Sequence, residues 1–230
     1  MSALLTGEEG EITMGNPDFL YFLYKLGMRM MTLTWNYENS LGFPNVRLDK
    51  KASASSDRYC LSQNKGLKEQ GIVFLEEMER LGMIIDVSHL SDAGFYDVLE
   101  HTTKPFVASH SNARSVCPAV RNLTDDMVRR LAERGGITGI NFCKEFLGKP
   151  DISQNYLDQA VVHMKYLMNL GGEDFVALGS DFDGITRYHD LSDCSVMPKL
   201  VHTMKKAGLT PTQIEKICYK NTLRVYRELL

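Results

Sequence analysis

The chain predicts an α/β fold in which short buried strands alternate with helices in a parallel sheet. Three observations carry that reading. Short apolar runs punctuated by Gly, Ser or Asp recur along the sequence, apolar on both faces, as strands covered by helices on either side must be. Segments with helical patterning separate them. Finally, three runs end in a polar residue of the kind that binds metals: Met83-Ile-Ile-Asp-Val-Ser-His89, Lys104-Pro-Phe-Val-Ala-Ser-His110 and Asp174-Phe-Val-Ala-Leu-Gly-Ser-Asp181. In a βα repeat the carboxyl ends of the strands share one face, so residues distant in sequence can converge there.

The elements follow in order. The first strand, Ala3–Glu8, ends in two glutamates and Gly10. A helix over Asp18–Leu26 stops at Gly27, a residue suited to a left-handed cap, and runs directly into a strand over Met28–Thr34. Trp35–Asn64 is polar and irregular, and a stretch of that length inside a compact domain is usually functional or mobile. A helix over Lys65–Leu81 stops at Gly82 before the strand Met83–Val87. Helix Ser91–His101 and strand Phe106–Ser109 come next. Thr124 supplies a capping hydroxyl for a helix to Arg134, followed by strand Ile137–Phe142, helix Ser153–Asn169 and strand Phe175–Ser180. The chain closes with a helical pair from Val196 to Leu230, in which Thr210-Pro211 marks a second helix start.

Six such units, with no break in composition, predict one α/β domain over residues 1–230. Neither Gly-x-Gly-x-x-Gly after the first strand nor Gly-x-x-x-x-Gly-Lys-Ser/Thr is present, which weakens nucleotide-binding folds. Ligands at several strand ends favour a barrel of the (β/α)8 TIM type, with six of its eight units present.

Composition narrows the function. Hydrophobic content of 43% and charged content of 24% are ordinary for a globular protein, and a net charge of −3 gives no reason to expect nucleic acid or an anionic membrane as partner. No apolar run approaches the roughly 18 residues of a membrane span. The first residues, Met1-Ser-Ala-Leu-Leu-Thr, lack the features of a signal peptide, so a cytoplasmic location is expected. Five cysteines without a Cys-x-x-Cys pair argue against both a disulfide framework and a thiolate zinc site.

His89 and His110 end consecutive strands, where neutral imidazoles suit a shared zinc. Asp181, in Gly179-Ser-Asp-Phe-Asp-Gly184, occupies the equivalent place after its strand, as a ligand or as a general base toward an activated water; a plain tight turn is the alternative. Either Glu8 or Glu9 is placed to add a carboxylate, and one carboxylate can bridge two metals. Arg121, in the loop after His110, suits the grip of a substrate carboxylate. The remaining histidines, His101, His163, His189 and His202, are read as structural or surface residues.

Together these motifs resemble the renal (membrane) dipeptidase family of zinc metallopeptidases, family M19, especially its bacterial members. The matching stretches are Gly27–Asn39, Leu81–Ser91, Ser109–Cys117, Arg121-Asn122 and Gly179–Gly184, in the family's order and spacing. The resemblance implies a metallo-dependent-hydrolase-like barrel with two zincs that hydrolyses dipeptides, often tolerating a D-residue at the C-terminal position. It implies Glu8 as the bridging carboxylate, His89 and His110 as the remaining ligands of one zinc, Asp181 as ligand of the other and helper of the catalytic water, and Arg121 as the substrate-carboxylate grip.

Two departures qualify it. The family's site begins with a His-x-Asp pair on barrel strand one, and this chain contains no His-x-Asp. Along with the strand count, that makes the chain look like a member lacking its N-terminal quarter. At most one well-held zinc is then expected, with exposed edges on strands Ala3–Glu8 and Phe175–Ser180 that favour oligomerisation. Trp35 also stands where mammalian members have a histidine thought to assist substrate polarisation; Asn36 is the candidate to donate a hydrogen bond to substrate instead. The alternatives to a dipeptidase are a catalytically inactive fragment holding one metal, and a barrel amidohydrolase acting on another amide or a lactone.

Overall fold

The computed structural model describes residues 3–45, 65–151, 155–186 and 189–230. Much of the irregular Trp35–Asn64 stretch, from residue 46 onward, and Cys60 with it, lie outside the described residues. Six parallel strands occupy one sheet in chain order: β1 (Leu5–Glu8), β2 (Met28–Thr32), β3 (Ile84–Asp86), β4 (Val107–Ala108), β5 (Ile137–Ile140) and β6 (Val176–Leu178). Helices alternate with them, as the βα pattern predicts. The chain divides into two compact units, Met1–Val107 with Tyr226–Leu230, and Ala108–Val225.

In the first unit the strand register lines up the ends of the strands. Glu8 stands opposite Thr32, Thr32 opposite Asp86, and Asp86 opposite Val107. The loops that follow Thr32 and Asp86 therefore leave the sheet beside Glu8. Helix α1 (Pro17–Lys25) starts on an Asn16 cap that accepts the Asp18 N–H, with Pro17 in the first turn, where no N–H is needed. Helix α2 (Glu69–Leu81) begins four residues later than its sequence pattern suggests. The Leu67 N–H is taken by the Asp97 carboxylate at 2.6 Å, and Leu67 bridges to Gly42, so the chain is committed to other partners there. Helix α2 ends as predicted on Gly82, at φ 73°. Helix α3 (Asp92–His101) is capped by the Ser91 hydroxyl.

Phe74, Leu75, Met78, Ile84 and Phe106 are fully buried, and Phe95 meets Phe106 edge-on at 5.6 Å. By contrast β1 is largely exposed, and α1 turns Phe19, Tyr21 and Phe22 to solvent.

The second unit contains α4 (Asp125–Glu133), capped by Thr124 as its sequence indicates, and α6 (Tyr156–Gly171), opened by an Asn155/Asp158 capping box. Between β5 and α6 lies a one-turn helix, α5 (Lys144–Leu147), too short to leave a periodic signal. Strands β5 and β6 pair with Gly139 opposite Ala177. The Ser109 carbonyl approaches this pair so closely that a Cβ on Gly139 or on Gly179 would stand 2.0 Å from its oxygen. Only glycine permits that approach.

The C-terminal helical region is more broken than a simple pair. After α7 (Met197–Lys206), α8 (Pro211–Glu215) starts on a Thr210/Gln213 capping box and passes through a π-helical turn, Lys216–Lys220, into α9 (Asn221–Leu229). The buried Asn221 side chain donates to the Glu173 and Val176 carbonyls, tying that junction to β6.

Candidate metal centre

Within the first unit, Glu8 and His89 come together. Glu8 Oε1 lies 3.1 Å from His89 Nε2, and the other ring nitrogen, Nδ1, lies 2.9 Å from the amide oxygen of Asn36. An amide oxygen only accepts, so Nδ1 carries the proton and donates it. Nε2 and the carboxylate then point lone pairs at the same place, which a proton or a divalent cation satisfies. Two ligands of a tetrahedral zinc at about 2.0–2.1 Å stand roughly 3.3 Å apart, so the spacing of this pair fits such an ion. The imidazole is buried and the carboxylate half exposed. That combination leaves a path for water.

The local backbone explains the aim of both groups. Asp86, fully buried at the end of β3, accepts the Ser88 N–H at 2.9 Å and the Thr32 hydroxyl at 2.6 Å. This closes the turn that puts His89 at φ 69°, a left-handed conformation uncommon outside glycine. Of the two glutamates at the end of β1, Glu8 in the strand and Glu9 just after it, Glu8 is the one against the imidazole. Glu9 turns to its own unit's framework, accepting the Trp35 N–H at 3.1 Å and the Asn39 amide at 2.6 Å. Those bonds brace the loop that presents Asn36. Trp35 packs 6.4 Å from the His89 ring and offers no ligand atom there.

The second unit carries His110, Arg121 and Asp181. His110 follows β4, is 8% exposed, and has its Nδ1 2.7 Å from the Ser109 hydroxyl. Asp181 heads a tight turn, with the Gly184 N–H on its carbonyl, and adopts φ 60°. The tight-turn reading of this stretch therefore holds. Asp181 Oδ2 accepts from Asn141 Nδ2 at 3.1 Å. Arg121 is 2% exposed, with its guanidinium 5.5 Å from the Phe146 ring centre.

Sequence reading missed Asn141. It directly follows β5 in the run Ile137-Thr-Gly-Ile-Asn141, a fourth strand end carrying a polar residue, and that parallel was the available signal. Other titratable groups are accounted for structurally. His163 is buried, accepting the Ala113 N–H and donating to the Leu147 carbonyl; burial pushes its pKa down to about 4. Burial and then the Glu145 carboxylate beside it push the Cys143 thiol up to about 12, which makes it an unreactive, protonated group. Among the described residues all four cysteines are free thiols, and no helix is long and apolar enough to cross a membrane.

Known proteins resemble the chain over nearly its whole length. The family model for membrane dipeptidase, peptidase family M19, matches residues 1–229. An uncharacterized protein in the pqqA 5' region of Klebsiella pneumoniae is 38% identical over 213 residues, covering 91% of this chain and 75% of its own length. The dipeptidase tcpJ of Claviceps purpurea is 34% identical, covering 99% of this chain and 51% of its own. Among solved structures, a metallo peptidase from Rhodobacter sphaeroides, liganded with a phosphinate mimic of the dipeptide L-Ala-D-Ala, superposes with a TM-score of 0.87 at 30% identity. That match covers 99% of this chain and 63% of the other. The chain thus spans about half of the Claviceps relative and under two thirds of the Rhodobacter structure. The sheet of βα units is accordingly of the metallo-dependent hydrolase barrel type.

Proposed function

Because the chain belongs to the membrane dipeptidase family of metallopeptidases, we propose that it is a zinc-dependent dipeptidase, hydrolysing the single peptide bond of its substrate with water. The observation that carries this reading is the Glu8–His89 pair, with the imidazole proton held by Asn36. Glu8, His89 and His110 each offer one ligand atom of a kind zinc takes. We assign these three to one zinc, with a further position for water. Bound there, the metal supplies a Lewis acid and lowers the pKa of water toward neutrality.

The chain's own residues do the rest. Asp181 takes the proton from the attacking water and returns it to the leaving amine. Arg121 pairs with the substrate's C-terminal carboxylate, and its burial strengthens such a pair. Asn36 spends its amide oxygen on His89, and its Nδ2 is oriented by that bond to donate to substrate. The family model runs through both units without a break, which supports reading residues 1–230 as one domain.

The second metal position of the family keeps Glu8 and Asp181 here but no His-x-Asp pair. We therefore expect at most one tightly held zinc per chain. That same absence favours a second reading, a one-metal chain that binds dipeptides without cleaving them. Two measurements test these readings. Elemental analysis after dialysis should give no more than one zinc, and two tightly held metals would sink the one-zinc assignment. Arg121→Ala should raise KM for a dipeptide at least tenfold while leaving an amide substrate without a carboxylate nearly untouched. Equal effects on both would remove Arg121 from the proposed role.

A further inference from the structure

Three buried asparagines of the second unit form a continuous frame. Asn112 and Asn141 exchange two bonds: the Asn141 N–H donates to Asn112 Oδ1 at 2.9 Å, and Asn112 Nδ2 donates to the Asn141 carbonyl at 3.0 Å. The Asn112 N–H donates to Asn122 Oδ1 at 3.2 Å. Asn122 Nδ2 in turn holds the Cys117 and Phe146 carbonyls at 2.9 and 2.8 Å. All three side chains are at most 1% exposed. Asn141 Oδ1 accepts the Cys143 N–H at 2.7 Å, which fixes the amide so that Nδ2 faces Asp181 Oδ2 at 3.1 Å.

The other end of the frame is the loop that bears Arg121. The peptide carbonyls on either side of it, those of Val120 and Asn122, both accept from the Arg114 guanidinium at 2.8 Å. Arg121 itself precedes the framed Asn122.

We infer that Asn141 is a positioning residue for Asp181, and that the Asn112–Asn122–Asn141 frame sets the Asp181 carboxylate and the Arg121 loop against one rigid reference. This rests on the dipeptidase reading above. A carboxylate that must accept a proton from water and later release it needs a fixed orientation. The Asn141 N–H on Oδ2 supplies such an orientation. Asn141 donates without titrating, so it orients Asp181 at any working pH. An aspartate there would offer no proton in its ionised form and would repel its neighbour.

A double-mutant cycle tests the inference on the full chain loaded with zinc, using Ala-Ala dipeptides. Asn141→Ala should lower kcat about 10- to 100-fold, the range seen when the partner of an active-site ligand is removed, with KM little changed. In an Asp181→Asn background the same substitution should cost much less, because the proton-accepting carboxylate it orients is gone. Asn122→Ala should instead raise KM, through the Arg121 loop. A second arm needs neither metal nor turnover and survives any folding failure of Asn141→Ala. In metal-free protein, Asp181→Asn should shift the side-chain amide resonance of Asn141 while that of Asn112 stays in place. Multiplicative losses in the cycle, or an unmoved Asn141 resonance, overturn the inference. A wild-type chain that neither holds zinc nor cleaves dipeptides overturns the dipeptidase reading instead, and that is visible before any variant is made.

Discussion

Asn36 holds the Nδ1 proton of His89 at 2.9 Å, and so decides which nitrogen of that ring faces Glu8. Hydrogen-bonded partners of metal-binding imidazoles fix the tautomer and raise basicity, and losing one typically costs 10- to 100-fold in affinity. Asn36→Ala should therefore weaken zinc binding by about that factor, measured by competition against a chromogenic chelator. Asn36→Asp keeps the acceptor and should bind at least as tightly as the parent.

Thr32 donates to the buried Asp86 carboxyl at 2.6 Å, next to the turn that carries His89. Thr32→Val preserves shape and removes the donor. It should destabilise the protein by about 1–3 kcal/mol, the cost of leaving a buried acceptor short of a partner. Urea unfolding at pH 7 measures this directly.

The glycines facing the Ser109 carbonyl leave no room for a methyl group, since the obstacle is backbone in both cases. Gly139→Ala or Gly179→Ala should each cost about 3 kcal/mol or more, at the upper end of overpacking penalties. Because Ser109 directly precedes His110, the partly folded variants should also lose zinc. A melting temperature within a degree or two of wild type contradicts this packing.

Burial holds His163 neutral, with its pKa lowered to about 4 from an ordinary 6.5. The unfolded chain takes up a proton here before the folded chain does. The stability due to this residue is complete above pH 6.5 and is lost progressively as pH falls from there toward 4, below which no more is lost. The full loss is about 3 kcal/mol. Unfolding free energies at pH 7 and pH 4.5 should differ less in His163→Gln than in wild type, since glutamine keeps a donor and an acceptor but does not titrate.

The repeat of short apolar runs made the strands legible, and with them Glu8, His89, His110 and Asp181, because βα geometry assigns strand ends to one face before any contact is known. Helix starts were legible where a single side chain makes them, as at Thr124 and Thr210. What stayed hidden depends on partners far along the chain. Nothing in Glu8-Glu9 says which carboxylate turns toward Asn39, 30 residues away. Asn112 and Asn122 sit inside the matching stretches with no sign of the frame they build, and Asn141 gains meaning only when Asp181, 40 residues on, reaches its amide. The late start of α2 has the same cause, a bond from Leu67 to Asp97.

The left-handed backbone at Asp181 places a second filter on what mutation can do there. A library of all twenty residues at this position is sorted first by conformation, and the β-branched and bulky members fail before chemistry is asked of them. Asparagine passes, being nearly the same size and at home at φ 60°. Asp181→Asn is thus the rare substitution that subtracts a charge and little else, whereas the customary alanine scan at this site would mix a lost carboxylate with a bent chain.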